Sequence, residues 1–228
     1  APEHLMAAQE AAVWHDLGGR CPGLHLAQRT PFAGIGDVNP VDASSAHRVA
    51  DGWTYGFPEL TGREAVASAR LVSNPGCYPT GFLGLVAPLV RAGLLPGDWP
   101  YVCHAVSGYS GGGKALIARF EDDADIAFRD YGLAMGHKHL PEMARYAGLA
   151  HAPVFAPAVV PAHRGMVVEV PLHLHLMAGT PRASVLREAL ADFYATSPVV
   201  RVHAETPDEI LLRGSAEPWD GLDLHVCE

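Results

Sequence analysis

The stretch RLVSNPGCYPTGFLGLVAPLVRAG, residues 70–93, decides the reading of the fold. Arg70 to Ser73 has the character of a strand end, and Asn74, Pro75 and Gly76 form a tight turn. Thr80 is placed to cap a helix from about Gly81 to Ala92, which Gly93 stops. Pro88 lies inside that helix, removes one of its hydrogen bonds and predicts a kink. Cys77 falls just ahead of the helix N-terminus, where the partial positive charge of the macrodipole favours a thiolate. Gly76 leaves room beside it for a substrate, and the Asn74 amide is available to an oxyanion. A buried structural cysteine is the other reading of the same position.

Downstream, a strand at Tyr101 to Val106 leads into SGYSGGGK, residues 107–114, a glycine-rich loop followed by a helix from Ala115. GHKHLPEMARYAGL follows, then strands in PVFAPAVV and GMVVEVPLHLHLM. Thr180 caps and Pro181 opens a helix ending near Tyr194. Strand-like pieces PVVRVHA, EILLR and LDLHVC close the chain. Upstream, a short Ala-rich helix covers Glu64 to Ala69. Residues 1–40 read as an atypical leader, with a short helix at Leu5 to Trp14 and then Gly and Pro breaks, and no strand–GxGxxG–helix unit. Helices mixed with strands in the middle, and strands dominating later, predict an α/β fold with an α+β-like mixed sheet.

The chain has 228 residues, 49% hydrophobic and 18% charged, an ordinary globular balance. Its formal charge of -9 argues against nucleic acid as a partner, and no apolar run approaches a membrane span. Cys21, Cys77, Cys103 and Cys227 form no CxxC pair, so free thiols in a reducing, cytoplasmic setting are expected. In VVEVPLHLHLM the alternation of Val168, Val170, Leu172, Leu174 and Leu176 predicts a half-buried strand with His173 and His175 on its other face. No third ligand accompanies them, and no metal site is expected.

A thiolate needs a proton acceptor, and GHKHLPEM supplies His137, Lys138, His139 and Glu142. Pro141 at a helix start leaves His139 just outside and Glu142 in the first turn, an imidazole with a carboxylate to orient it. In SGYSGGGK the glycines let backbone N–H groups close on an anion, and Lys114 adds positive charge. The loop lacks the GxxxxGK[ST] form of a P-loop, so nucleotide hydrolysis is not implied. His47, Arg48 and Arg164 are candidates for a carboxylate or phosphate, although a surface charge or salt bridge explains each equally.

Five blocks in order, DASSAHRVADGWTYGFPEL, RLVSNPGCYPTG, AVSGYSGGGKALI, GHKHLPEM and PAVVPAHRGMVVEVPLHL, make the chain resemble the N-acetyl-γ-glutamyl-phosphate reductases, the type 2 branch in particular. The resemblance implies a semialdehyde-dehydrogenase-type reductase using NADP. Cys77 would expel phosphate from the acyl phosphate to give a thioacyl enzyme, with His139 as general base and acid and Glu142 orienting it. Ser107, Gly108, Ser110, Gly111 and Gly112 would lie near the cofactor, and Asn74, His47, Arg48, Tyr109, Lys114 and Arg164 near the substrate. A homo-oligomer serving arginine biosynthesis in the cytoplasm is implied as well.

Two departures from that family shape the expected layout. The nucleotide-binding strand and glycine turn are missing at the front, and a final Asn-Leu-Gly-Lys-Gly-Ala-type segment is missing after LDLHVCE. Residues 41–72 are therefore expected to be a remnant of a dinucleotide-binding domain, and 73–228 a catalytic and dimerisation domain truncated at its end. Rival readings are a reductase of a carrier-linked acyl phosphate, an aspartate-semialdehyde dehydrogenase, a thiol hydrolase built on Cys77 and His139, and an inert fragment.

Overall fold

The computed structural model describes residues 41–212 and 221–227. They fall into two compact units, one ending at Gly76 and one beginning at Cys77. In the first, β1 (Val41–Asp42), β2 (Thr54–Tyr55) and β3 (Val72–Ser73) form a parallel sheet in the order β1-β3-β2. Helices α1 (Pro58–Thr61) and α2 (Arg63–Ala67) connect β2 to β3. Tyr55, Phe57, Leu60 and Val72 supply its buried apolar side chains.

The second unit opens with α3 (Cys77–Arg91) and continues through β4 (Val102–Gly108), α4 (Gly113–Asp122), β5 (Arg129–Asp130) and α5 (Leu140–Ala147). Then come β6 (Val154–Val160), β7 (Met166–Glu169), α6 (Ala183–Phe193), β8 (Val200–Val202) and β9 (Leu222–Leu224). The main sheet has the order β5-β6-β4-β7, with β4 parallel to β6 and the two outer strands antiparallel to their neighbours. This is the mixed sheet expected from the alternation of elements. A separate parallel pair joins β8 to β9.

Strand periodicity decides what the sheet buries. Cys103 and Ala105 on β4 are fully buried, and Phe155 opposite Cys103 on β6 is nearly so. Ser107, two residues further along β4, shares their face. Helix α3 crosses this layer, and Gly81 explains how closely. A Cβ at position 81 would meet the Val168 side chain of β7 at 2.8 Å, so the missing side chain lets helix and sheet close together. Helix α3 is apolar on most of its surface because it is contacted by α5, α6, β7 and β9.

Pro88 sits inside α3 as predicted. Having no N–H, it leaves the carbonyl of Gly84, four residues earlier, without its helical donor. The Tyr194 hydroxyl donates to that carbonyl at 2.9 Å in a buried hydrogen bond. Tyr194→Phe should therefore orphan a buried acceptor and cost about 1–3 kcal/mol. A thermal melt checks this, each kcal/mol being worth about 2–4 °C in a chain of this size. An unchanged melt would mean the carbonyl finds another donor.

Several local expectations are corrected. Helix α3 begins at Cys77, not Gly81, so Thr80 is inside it rather than at its cap. Pro79 fits the first turn because the N–H it lacks has no intrahelical acceptor there. The run through GMVVEVPLHLHLM leaves the sheet after Glu169. Pro171 cannot donate to a ladder, and Leu174–Leu176 forms a 3₁₀ turn, so His173 and His175 do not share a strand face. Thr180 adopts a left-handed φ of 43° in a turn, and α6 starts later, after Arg182. Glu209 to Leu212 is not a strand, and Arg213, the last residue of EILLR, lies outside the described residues, as does the helix expected at Leu5 to Trp14. Among the described residues no helix is long and apolar enough to cross a membrane. No cluster of three or more His, Cys, Asp or Glu is arranged to hold a metal ion there.

Candidate functional site

Starting α3 at Cys77 places the thiol in the first helical turn, among N–H groups that have no intrahelical acceptor. Such a position favours negative charge more than one outside the helix. Cys77 is exposed, and Cys103 is buried. Burial pushes the Cys103 thiol up to about 12, so it stays protonated at neutral pH and is an inert packing group. Cys227 is also exposed, whereas Cys21 lies outside the described residues.

Helix α5 packs against α3 and begins after His139, which takes the cap position, with Pro141 in the first turn. Two polar side chains at its head turn inward: His139 is 4% exposed and Glu142 is 1% exposed. Their closest atoms, His139 Nε2 and Glu142 Oε1, are 4.0 Å apart, three residues along the helix. The separation exceeds hydrogen-bond length but suits an electrostatic partnership.

Tyr78 connects this pair to the cysteine next to it in sequence. Its ring centroid is 5.9 Å from that of His139 and 5.2 Å from that of Phe155. Its hydroxyl lies 2.8 Å from Ser107 Oγ, donates to the Ala158 carbonyl at 3.3 Å and accepts from the Tyr131 hydroxyl at 3.4 Å. Burial, above all, raises the pKa of both tyrosines; a charge at Cys77 adds to the effect in each. Neutral phenols therefore line the surroundings of the thiol.

His137 completes the cluster. Its Nδ1 accepts the His139 backbone N–H at 3.2 Å, which leaves the other ring nitrogen to carry the proton of the neutral form. Its ring meets those of His139, Phe155 and Tyr131 at centroid distances of 4.6, 5.0 and 5.8 Å. Burial, with a smaller contribution from Lys138, lowers its pKa below the ordinary value and keeps the imidazole neutral at pH 7.

The glycine-rich segment is tighter than a loop. Strand β4 runs to Gly108, Tyr109–Gly112 forms a 3₁₀ turn, and α4 starts at Gly113. Glycine is required at 108, where a Cβ would lie 2.5 Å from Ala162 O and 2.7 Å from Arg164 N. The N–H groups of Gly108, Tyr109 and Ser110 donate to Gly165, Ala162 and His163 respectively, each at 2.9 Å. Three N–H groups expected to cradle an anion are thus committed to the 162–165 turn. The Gly111–Gly112 end remains exposed, and a Cβ at Gly111 would meet nothing within 4 Å.

Tyr109 stacks on Phe120 with centroids 5.2 Å apart, while Lys114 and Arg164 are exposed. The other candidates belong to the first unit. Arg48 is buried, with Nε donating to Asn74 O at 2.9 Å and a terminal nitrogen to Ala43 O at 2.8 Å. The Asn74 N–H donates to Asp42 O at 2.7 Å. His47 stacks on Trp53 at 4.1 Å, and its Nε2 lies 3.7 Å from Asp42 Oδ2. These contacts brace the segment that leads into Cys77.

Tyr78 and Tyr131 are the site members that sequence reasoning missed. The signal for Tyr78 was its place beside Cys77, combined with the inward alternation of Cys103, Ala105 and Ser107. Nothing local in RDYGLAMG marks Tyr131, which reaches the site because β5 pairs with β6.

The model of the semialdehyde dehydrogenase dimerisation domain matches residues 77–217. An N-acetyl-gamma-glutamyl-phosphate reductase of Trichormus variabilis is 46% identical over 186 residues, covering 77% of this chain and 58% of the relative. One from Burkholderia ambifaria is 48% identical over 170 residues, covering 72% and 54% respectively. The chain therefore spans somewhat over half the length of these relatives. Among solved structures, aspartate semialdehyde dehydrogenase II from Vibrio cholerae matches with a TM-score of 0.50 at 15% identity, covering 76% of this chain and 58% of that one. That likeness concerns the fold alone. More than half of the chain thus belongs to the semialdehyde dehydrogenase family, as its dimerisation domain, on the branch whose sequence relatives carry the N-acetyl-γ-glutamyl-phosphate reductase name.

Proposed function

We propose that this chain contains the acylation machinery of an NADP-dependent N-acetyl-γ-glutamyl-phosphate reductase of arginine biosynthesis. One observation carries the reading: an exposed Cys77 opens α3, and the adjacent Tyr78 ring lies against the buried His139–Glu142 pair. His139 accepts the thiol proton, with Glu142 holding the imidazole in orientation. The sulfur attacks the acyl carbon, the C–O bond to the phosphate group breaks, and phosphate leaves with the electron pair. A thioester on Cys77 results. NADPH, when bound, supplies the hydride that reduces it. Exposed Gly111, where a side chain would meet nothing within 4 Å, fits one of the dinucleotide's phosphate groups.

In this reading residues 41–72 belong to the dinucleotide-binding domain and 73–228 to the catalytic and dimerisation domain. The working form is a cytoplasmic homo-oligomer. Val102 and Val154, exposed register partners on the outer face of the β4–β6 sheet, suit coverage by a second copy.

The test is incubation of the chain with N-acetyl-γ-glutamyl phosphate in the absence of nicotinamide, followed by intact mass measurement. An N-acetylglutamyl adduct with stoichiometric phosphate release is expected. Continuous phosphate release without an adduct would favour a thiol hydrolase. An adduct only from a carrier-linked acyl phosphate would move the substrate to that class.

A further inference from the structure

The register of the main sheet sets Arg129 on the side that carries the candidate site. Arg129 on β5 pairs with Val159 on β6, and Val159 pairs with Ser107 on β4, so one row of side chains crosses the sheet. Ser107 meets the Tyr78 hydroxyl, which identifies the site face. The Tyr131 N–H donates to Pro157 O at 3.3 Å, continuing the ladder, and its side chain returns to the face of Arg129. The Arg129 guanidinium carbon stands over the Tyr131 ring, 4.5 Å from its centroid, and this cation–π contact holds the charged head in place. Among the described residues, no hydrogen bond or ion pair engages the guanidinium. Asp130, the adjacent carboxylate, alternates to the opposite face. A half-buried arginine thus keeps its fork of N–H donors uncommitted beside the site.

We propose that Arg129 binds the α-carboxylate of the acyl phosphate, the anion at the end of the carbon chain remote from the carbon that Cys77 attacks. The inference rests on the acylation reading above and names the group that would select the substrate. N-acetylation removes the positive charge of the substrate's amino group, so its anions need partners from the protein. Tyr78, Tyr131 and His137 are neutral at pH 7 and supply none. Arg48 is spent on the carbonyls of Asn74 and Ala43. The planar fork of Arg129 matches both oxygens of a carboxylate. Burial does most to raise the Tyr131 pKa; a charge at Cys77 adds to the rise and Arg129 opposes it, so one phenol feels both groups. Arg129 lies over the ring, whereas Tyr78 meets the hydroxyl at the ring's edge, which sets the cation back from the nucleophile's neighbour. That offset suits the distal carboxylate better than the phosphate bonded to the reacting carbon.

The experiment crosses two substrates with two variants. N-acetyl-γ-glutamyl phosphate and its α-carboxamide analogue, which lacks the negative charge, are each given to the unmodified chain, Arg129→Met and Arg129→Lys without nicotinamide. Single-turnover phosphate release is followed over a range of substrate concentrations, and melts are recorded. Methionine keeps a favourable contact with the Tyr131 ring, so a melt near that of the unmodified chain is expected. With the carboxylate substrate, Arg129→Met should raise the half-saturating concentration about 10- to 100-fold, the scale of hydrogen bonds to a charged group. The rate at saturation should change little. Arg129→Lys should recover part of the loss, because a point charge replaces the fork. On the unmodified chain the carboxamide should be weakened by a similar factor. It should lose little more in Arg129→Met, since variant and analogue remove the same interaction.

Penalties that multiply between Arg129→Met and the carboxamide would place the carboxylate elsewhere and overturn the proposal. So would equal use of both substrates by the unmodified chain, an outcome that needs no variant to fold. A lower saturating rate with both substrates, at unchanged half-saturation, would assign Arg129 to the phosphate and overturn it as well. Absence of phosphate release from either substrate by the unmodified chain is a different failure: it removes the acylation reading, and this inference falls with it.

Discussion

Cys77→Ser should abolish transfer of the acyl group to the protein, lowering the single-turnover rate roughly 10³-fold or more while the melt stays unchanged. The side chain is exposed, so losing sulfur costs little packing. Serine keeps the position in the first turn of α3 but not the chemistry. A helix terminus stabilises a charge by about 0.3–1 kcal/mol at an exposed site. That is far too little to ionise a hydroxyl at neutral pH. Cys103 offers no rescue, because it is buried and its thiol is pushed up to about 12. Residual adduct in the Cys77→Ser variant, mapped by peptide mass to Cys227 or Cys21, would relocate the nucleophile and overturn the assignment.

The second large effect belongs to His139. His139→Gln keeps a polar group of similar reach at the head of α5 and removes the proton acceptor. Acylation should fall about 10²–10³-fold, the usual range for a general base. His137→Gln is the informative comparison. That imidazole is neutral at pH 7 and touches the His139 ring, yet its Nδ1 is committed to the His139 backbone N–H. Its replacement should be milder, about tenfold, through disturbed placement of His139. If His137→Gln produced the larger loss, the two histidines would exchange roles and Glu142 would be left as a structural partner of His139. Melting curves for both variants separate these kinetic effects from loss of fold. Glu142 is 1% exposed beside His139, so the melt of His139→Gln is itself informative.

Much of the molecule was legible in local chemistry. The turn Asn74–Pro75–Gly76 followed by an apolar helix placed Cys77 at a helix start, within a few residues of its actual position. Pro141 and Glu142 marked the head of α5, and His139 takes the cap there. The strands read at Tyr101 to Val106 and in PVFAPAVV are two strands of the main sheet, and mixed element order predicted its mixed pairing. These readings worked because caps, prolines and period-2 burial act within a few residues.

They misled where local signals compete. Thr80 and Thr180 are both good capping residues, yet neither caps, since Pro79 is accommodated inside the first turn of α3 and Thr180 is used in a left-handed turn. Alternation through His173 and His175 had the period of a strand, but Pro171 ends the ladder before it arrives.

The sequence by itself offered Cys77 as the nucleophile candidate and put His139 and Glu142 together at the head of a helix. Only the tertiary structure decided that β5, pairing with β6, brings Tyr131 to the Tyr78 hydroxyl. It alone sent three loop N–H groups to a turn remote in sequence, and matched the Tyr194 hydroxyl to the carbonyl that Pro88 leaves open. The physical reason is common to these cases. A hydrogen-bonding group buried by packing must find a partner, and which distant residue supplies it depends on how helices and sheet close on one another, not on the residues beside it.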